Sequence, residues 1–146
     1  MVDVTPKGET AREAVARAIL RMRPETLSAI KAGQLAKGDV LGVARTAGIM
    51  AAKKTPELIP LCHPLRITGV DLDFKIDQRR STLTIETRVS AVDKTGVEME
   101  ALTAAAVAGL TVYDMVKAID KGVTLTEICL LEKSGGKSGH WKRGRP

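Results

Sequence analysis

The sequence predicts an α+β fold, and three observations carry that prediction. Two neighbouring segments alternate apolar and polar residues around a short polar turn. Four segments repeat apolar residues at helical spacing. At 146 residues, with 44% apolar and 27% charged side chains, the chain is one domain large enough for its own core.

Taken in order, Thr10-Ala11-Arg12-Glu13 has the form of a helix capping box, with Val15, Ala18, Ile19 and Met22 following at helical spacing. Pro24 breaks that run and opens a short helix carrying Leu27 and Ile30, which stops near Gly33. A third helix is predicted over Asp39 to Lys54, with Val40, Val43, Ala44, Ala47, Met50 and Ala51 as its apolar stripe. Pro56, Pro60 and Pro64 exclude a long regular element between Thr55 and Arg66.

Val70, Leu72, Phe74 and Ile76 then alternate with Asp71, Asp73, Lys75 and Asp77, which predicts a half-buried strand. Gln78 to Ser81 is a turn, and a second strand brings in Leu83, Ile85 and Val89, making an antiparallel hairpin. Val97 to Ile119 reads as a long, largely buried helix ended by Gly122. Thr124 to Leu131 reads as a last strand and Ser134 to Gly139 as a flexible loop. With one more strand, expected at Val2–Thr5 or near Leu35, the order gives a ferredoxin-like antiparallel sheet with helices packed on one face. Residues 1–139 form the single domain, and 140–146 are expected to be a disordered basic tail.

Only one Trp, one Tyr and one Phe are present, so Ala, Val, Leu and Ile must build the core. The same scarcity argues against a base-stacking nucleic-acid binder. The formal charge of +6, part of it in the tail, still suits an anionic partner. A basic ferredoxin-like nucleic-acid-binding module therefore stands as the alternative to an enzyme. Cys62 and Cys129 form neither a CxxC pair nor a zinc spacing, so no metal site is expected. No apolar run of membrane-spanning length and no signal peptide is read, which points to the cytoplasm.

Several residues could carry chemistry. Asp114 and Lys117, three apart on the long helix, form either a surface ion pair or an acid–base pair among the apolar Val112, Tyr113, Met115 and Val116. Glu100 shares their face but lies fourteen residues away, roughly 21 Å along the axis. One small reacting centre cannot touch both in one subunit, so either one is structural or a second chain completes the site. Glu98 and Glu100 are otherwise first-turn acids favoured by the helix dipole. His63, between prolines in Leu61-Cys62-His63-Pro64, is a turn histidine, a substrate ligand or a proton shuttle. Cys62 lacks the base and orienting group of a nucleophile. Lys37 beside Gly38, and Lys133 and Lys137 in a glycine-rich stretch, could meet phosphate, as could Arg12 in a helical first turn. Gly136-Lys137-Ser138 is not a Walker A loop, because the required earlier Gly and following helix are missing.

Seven stretches together resemble one family. They are Met1–Val4, Lys37-Gly38-Asp39-Val40, Ala44-Arg45-Thr46-Ala47-Gly48-Ile49, Leu58-Ile59-Pro60-Leu61-Cys62-His63-Pro64-Leu65, Lys94-Thr95-Gly96-Val97-Glu98-Met99-Glu100-Ala101-Leu102-Thr103, Tyr113-Asp114-Met115-Val116-Lys117-Ala118 and Lys133–Gly139. Running nearly end to end, they resemble the molybdenum cofactor biosynthesis protein C family, the cyclic pyranopterin monophosphate synthases. The resemblance implies a lyase that converts 3',8-cyclo-7,8-dihydro-GTP, supplied by an upstream radical GTP cyclase, into cyclic pyranopterin monophosphate and pyrophosphate. It implies a hexamer, a trimer of dimers, with active sites at dimer interfaces. It places Asp114, Lys117, Lys37 and His63 as catalytic residues. Substrate contacts fall on Leu61, Cys62, His63, Met99 and Glu100; Lys133 and Lys137, read above as possible phosphate contacts, complete the expected substrate site. Crowding among the lysines is expected to depress an amine pKa until it can act as a base. No cofactor is expected; whether magnesium accompanies the triphosphate stays open. No membrane or nucleic-acid partner is expected.

Overall fold

The computed structural model describes residues 1–144. The elements are β1 (Thr10–Arg21), α1 (Pro24–Ala32), α2 (Val40–Lys53), α3 (Thr55–Leu58), β2 (Ile67–Asp77), β3 (Thr82–Asp93), α4 (Glu98–Val116), β4 (Thr124–Ser134) and β5 (Trp141–Lys142). They build one antiparallel sheet in the order β2-β3-β1-β4-β5. The βαββαβ succession with β1 and β3 at its centre is the ferredoxin-like arrangement predicted.

The predicted α1, α2, the hairpin and the long helix are all present. α1 opens on Pro24 and closes on Gly33, whose φ of 65 takes up the left-handed turn that favours glycine. Asp39 caps α2 by accepting from the Gly42 N–H at 3.0 Å. The β2–β3 turn holds Ser81 at φ 51.

Several expectations are corrected. The first predicted helix is a strand: β1 pairs in unbroken register with β3, from Thr10 opposite Asp93 to Arg21 opposite Thr82. Ala14, Ala16, Ala18 and Leu20 face the helices with no exposed surface, a period of two that helix-favouring Ala, Glu and Arg disguise. Neither Val2–Thr5 nor the region of Leu35 forms a strand. The tail is not free up to Arg143: Trp141 and Lys142 extend the sheet as β5 and Arg143 bonds to β4, while residues 145–146 lie outside the described residues.

The core holds no buried aromatic ring; Ala44, Ala51 and Ala52 of α2 and Ala101, Ala104, Ala105 and Ala108 of α4 are buried. Small side chains let these helices approach closely: a Cβ on Gly48 would collide with Leu72 and crowd the Ala104 carbonyl. α4 is long and apolar enough to cross a membrane, against the expectation of no such run. Its apolar residues instead form the centre of the core, clustered with those of the sheet, α1 and α2. It ends three residues earlier than predicted, because Asp120 organises the following turn. That carboxylate, 4% exposed, accepts from Arg23 N, Thr26 Oγ1 and Gly122 N at 3.0, 2.9 and 3.0 Å, tying the start of α1 to the end of α4.

Candidate active site

The two ends of α4 carry two separate groups of the predicted residues. At its C-terminal end, Asp114 and Lys117 lie one turn apart, and Lys37 arrives from the loop between α1 and α2. Gly38, at φ 90, lets that loop turn immediately before the Asp39 cap. Asp114 Oδ1 lies 2.7 Å from Lys117 Nζ and Oδ2 lies 2.7 Å from Lys37 Nζ. Lys37 also donates to the Asp114 backbone carbonyl at 3.0 Å, where the last turn of a helix favours a cation.

The two ammonium groups, Lys117 first and Lys37 second, hold the Asp114 carboxyl well down, at about 2. Reciprocally, Asp114 raises the Lys117 amine. The expectation that crowding depresses a lysine amine is thus corrected for Lys117, whose ammonium faces the Asp114 carboxylate at 2.7 Å. The expected apolar surroundings are corrected too. Val112, Met115 and Val116 turn into the core, whereas the Asp114 side chain is 53% exposed on the opposite face.

At the other end of α4, its first turn meets the loop of His63. Leu61, Cys62, His63, Met99 and Glu100 line one cleft of about 320 Å³, so five of the predicted substrate contacts do come together. Burial pushes the Glu100 carboxyl up, and Glu98 adds to the shift. Burial, then Glu100, pushes the Cys62 thiol up, which keeps it protonated and makes it a poor nucleophile.

Thr95, Gly96 and Glu98 connect this cleft to a second, of about 160 Å³, that contains Arg12 and Lys133. Arg12, Lys7 and Ser138 connect that one to a third, of about 680 Å³, bordered by Lys137. The three make one trough, acidic and sulfur-bearing at one end and cationic at the other. Lys133 Nζ is 2.7 Å from Glu98 Oε1, so Glu98 partners a site lysine as well as lying at the helix start. Arg12 reaches the trough from strand β1, not from a helical first turn, and donates to the Lys94 carbonyl at 3.1 Å.

Lys7 was not singled out by the sequence, although Lys7-Gly8 repeats the pairing seen at Lys37-Gly38. Asp120 carried no signal, since its three donors come from elements distant in the chain. Asp114 and Glu100 remain on opposite ends of one straight helix, roughly 21 Å apart along its axis, so one chain does not bring the two groups together. Among the described residues no group of three or more His, Cys, Asp or Glu is placed to hold a metal ion.

The fold is that of an α+β ferredoxin-like protein, with an ion-paired carboxylate at one end of α4 and cation-bordered clefts at the other. The chain belongs to the MoaC family, whose model matches residues 1–136. It is 62% identical over 143 residues to the cyclic pyranopterin monophosphate synthase of Heliobacterium modesticaldum, covering 98% of this chain and 90% of that protein. The proteins of that name from Geobacter metallireducens and Listeria monocytogenes are 58% and 59% identical, covering 100% and 97% of this chain and 91% and 88% of their own lengths.

Proposed function

We infer that this chain is a lyase of molybdenum cofactor biosynthesis that converts 3',8-cyclo-7,8-dihydro-GTP into cyclic pyranopterin monophosphate and pyrophosphate. The observation that carries this reading is the Asp114 carboxylate held at 2.7 Å by both Lys37 and Lys117, in a chain of that family. The reaction opens the purine five-membered ring, forms a pyran ring and closes a cyclic phosphate as pyrophosphate leaves, which demands repeated proton transfers.

In the resting chain Asp114 is ionised and Lys117 is cationic. A polyanion that draws either lysine away also adds negative charge nearby, and both effects raise the Asp114 pKa toward useful basicity. Substrate binding thereby primes the carboxylate as acceptor and leaves an ammonium as donor. His63, Leu61, Cys62, Met99 and Glu100 hold the ring system, with His63 also relaying a proton. Lys133 and Lys137 hold the phosphates and stabilise the departing pyrophosphate. No resident cofactor takes part, and any magnesium arrives with the triphosphate.

The enzyme assembles as a hexamer, a trimer of dimers, with the Glu100 end of one protomer facing the Asp114 end of its partner. Two features support this arrangement: the length of α4 between the two groups, and the exposed Leu110, one turn before Asp114 on the same helix, which a second protomer would cover. It works in the cytoplasm on substrate supplied by an upstream radical GTP cyclase, and both of its cysteines are free.

Pyrophosphate release from the cyclised nucleotide tests the reading. Asp114→Ala is expected to lose about 10²–10⁴ in rate, the range for a general acid–base group, with circular dichroism and assembly unchanged. Near-normal turnover in that variant refutes the role.

A further inference from the structure

The chain folds back after the glycine-rich loop. Lys133 on β4 sits opposite Trp141 on β5, and Glu132 sits opposite Lys142. Residues 134–140 are thereby closed into a loop with Lys137 at its middle. At the near end the loop is moulded onto Arg12: a Cβ on Gly135 would collide with the Ala11 carbonyl, and one on Gly136 with the Arg12 guanidinium. At the far end Arg143 N–H donates to the Leu131 carbonyl at 2.8 Å, and its Nε donates to the Leu130 carbonyl at 2.6 Å. His140 Nε2 lies 2.6 Å from Glu132 Oε1, and the Arg143 guanidinium lies 6.0 Å from the Trp141 ring centre.

We propose that β5 is a strap that positions the Lys133–Lys137 loop for the pyrophosphate part of the substrate, with Arg143 as its principal positioning residue. This rests on the reading of Lys133 and Lys137 as phosphate contacts. Without β5, Lys137 would ride on an untethered segment, and each binding event would have to order it. Fixing both ends removes most of that entropy before the anion arrives. The hydrogen bonds of Arg143 go to Leu130 and Leu131, neither of which lines the trough, so it acts through the loop it closes.

The test compares Arg143→Pro, Arg143→Lys and Lys137→Ala. Arg143→Pro removes both donors to β4, while its restriction on Lys142 matches the extended backbone already there. Calorimetric titration with inorganic pyrophosphate and steady-state kinetics are the readouts, with circular dichroism confirming the fold. Arg143→Pro is expected to weaken pyrophosphate binding and raise KM by about tenfold, the scale of one charge-assisted contact, with kcat nearly unchanged. Arg143→Lys, which keeps the backbone donor, retains most of the affinity. The double variant Lys137→Ala/Arg143→Pro should bind no more weakly than Lys137→Ala alone. His140→Ala, which removes the contact to Glu132, moves the same constants the same way by less. If Lys137→Ala weakens pyrophosphate and Arg143→Pro does not, the strap is wrong and the lysine reading stands. If neither variant changes affinity, both fall. Full additivity in the double variant also overturns the strap.

Discussion

Asp114 and Glu100 are carboxylates on the same helix, and their surroundings push them in opposite directions. Ammonium groups hold Asp114 ionised, whereas burial favours the protonated form of Glu100. Groups set apart in this way can divide acid and base roles between them. Removing one ammonium should show the coupling directly. In Lys37→Ala the Asp114 carboxyl should titrate above its present value of about 2 and toward the ordinary 3.8, because the ionised form loses a partner. Carboxyl carbon NMR against pH measures it; an unmoved titration would mean that Lys117 alone sets the value. The Asp114–Lys117 spacing was readable from the sequence. The sign of the lysine shift was not, because apolar neighbours in the chain do not reveal which helix face meets solvent. Lys37 comes from 77 residues away; its glycine neighbour marked it only as a possible phosphate contact, and its catalytic placement came through the family resemblance.

At the level of elements, the joint between α1 and α4 is the most exposed to a single change. Asp120→Ala leaves Arg23 N–H, Thr26 O–H and Gly122 N–H without their acceptor, at a cost of about 3 kcal/mol by the scale of buried hydrogen bonds to a charged group. Arg23 and its fellow donors lower the Asp120 pKa below 3.8. Its stabilisation is therefore complete above the unfolded-state value and is lost as pH falls through the lower folded-state value. Denaturant titrations of wild type and variant should differ most near neutrality and converge in acid; a constant gap would show that the carboxylate charge is irrelevant. This joint was invisible in the sequence because it is a tertiary contact. β1 was misread for a related reason: Ala, Arg and Glu favour a helix locally, but a place between β3 and β4 overrides propensity. The β2–β3 hairpin was legible because its alternation contained few residues that suit both periods.

At the scale of the whole molecule, the ferredoxin-like class was reached even though β1, the middle strand of the sheet, was read as a helix and the missing strand was sought at Val2–Thr5 or near Leu35. The surface that the proposed arrangement requires, with Glu100 of one chain beside Asp114 of another, was not legible, because nothing local marks which apolar residues remain uncovered. Subunit mixing tests that arrangement. Asp114→Ala and Glu100→Ala chains, each inactive alone, should regain activity when co-assembled, because a twofold dimer then contains one intact site and one doubly damaged site. Verified mixed dimers without activity would place each site within a single chain. α4 is in this respect a ruler with a functional group at each end. Adding one residue to its middle would swing one end about 100° relative to the other and lengthen the rod by about 1.5 Å. Related chains can therefore tolerate insertions around the helix far more readily than inside it, and the interval between the two carboxylates should be fixed to the residue.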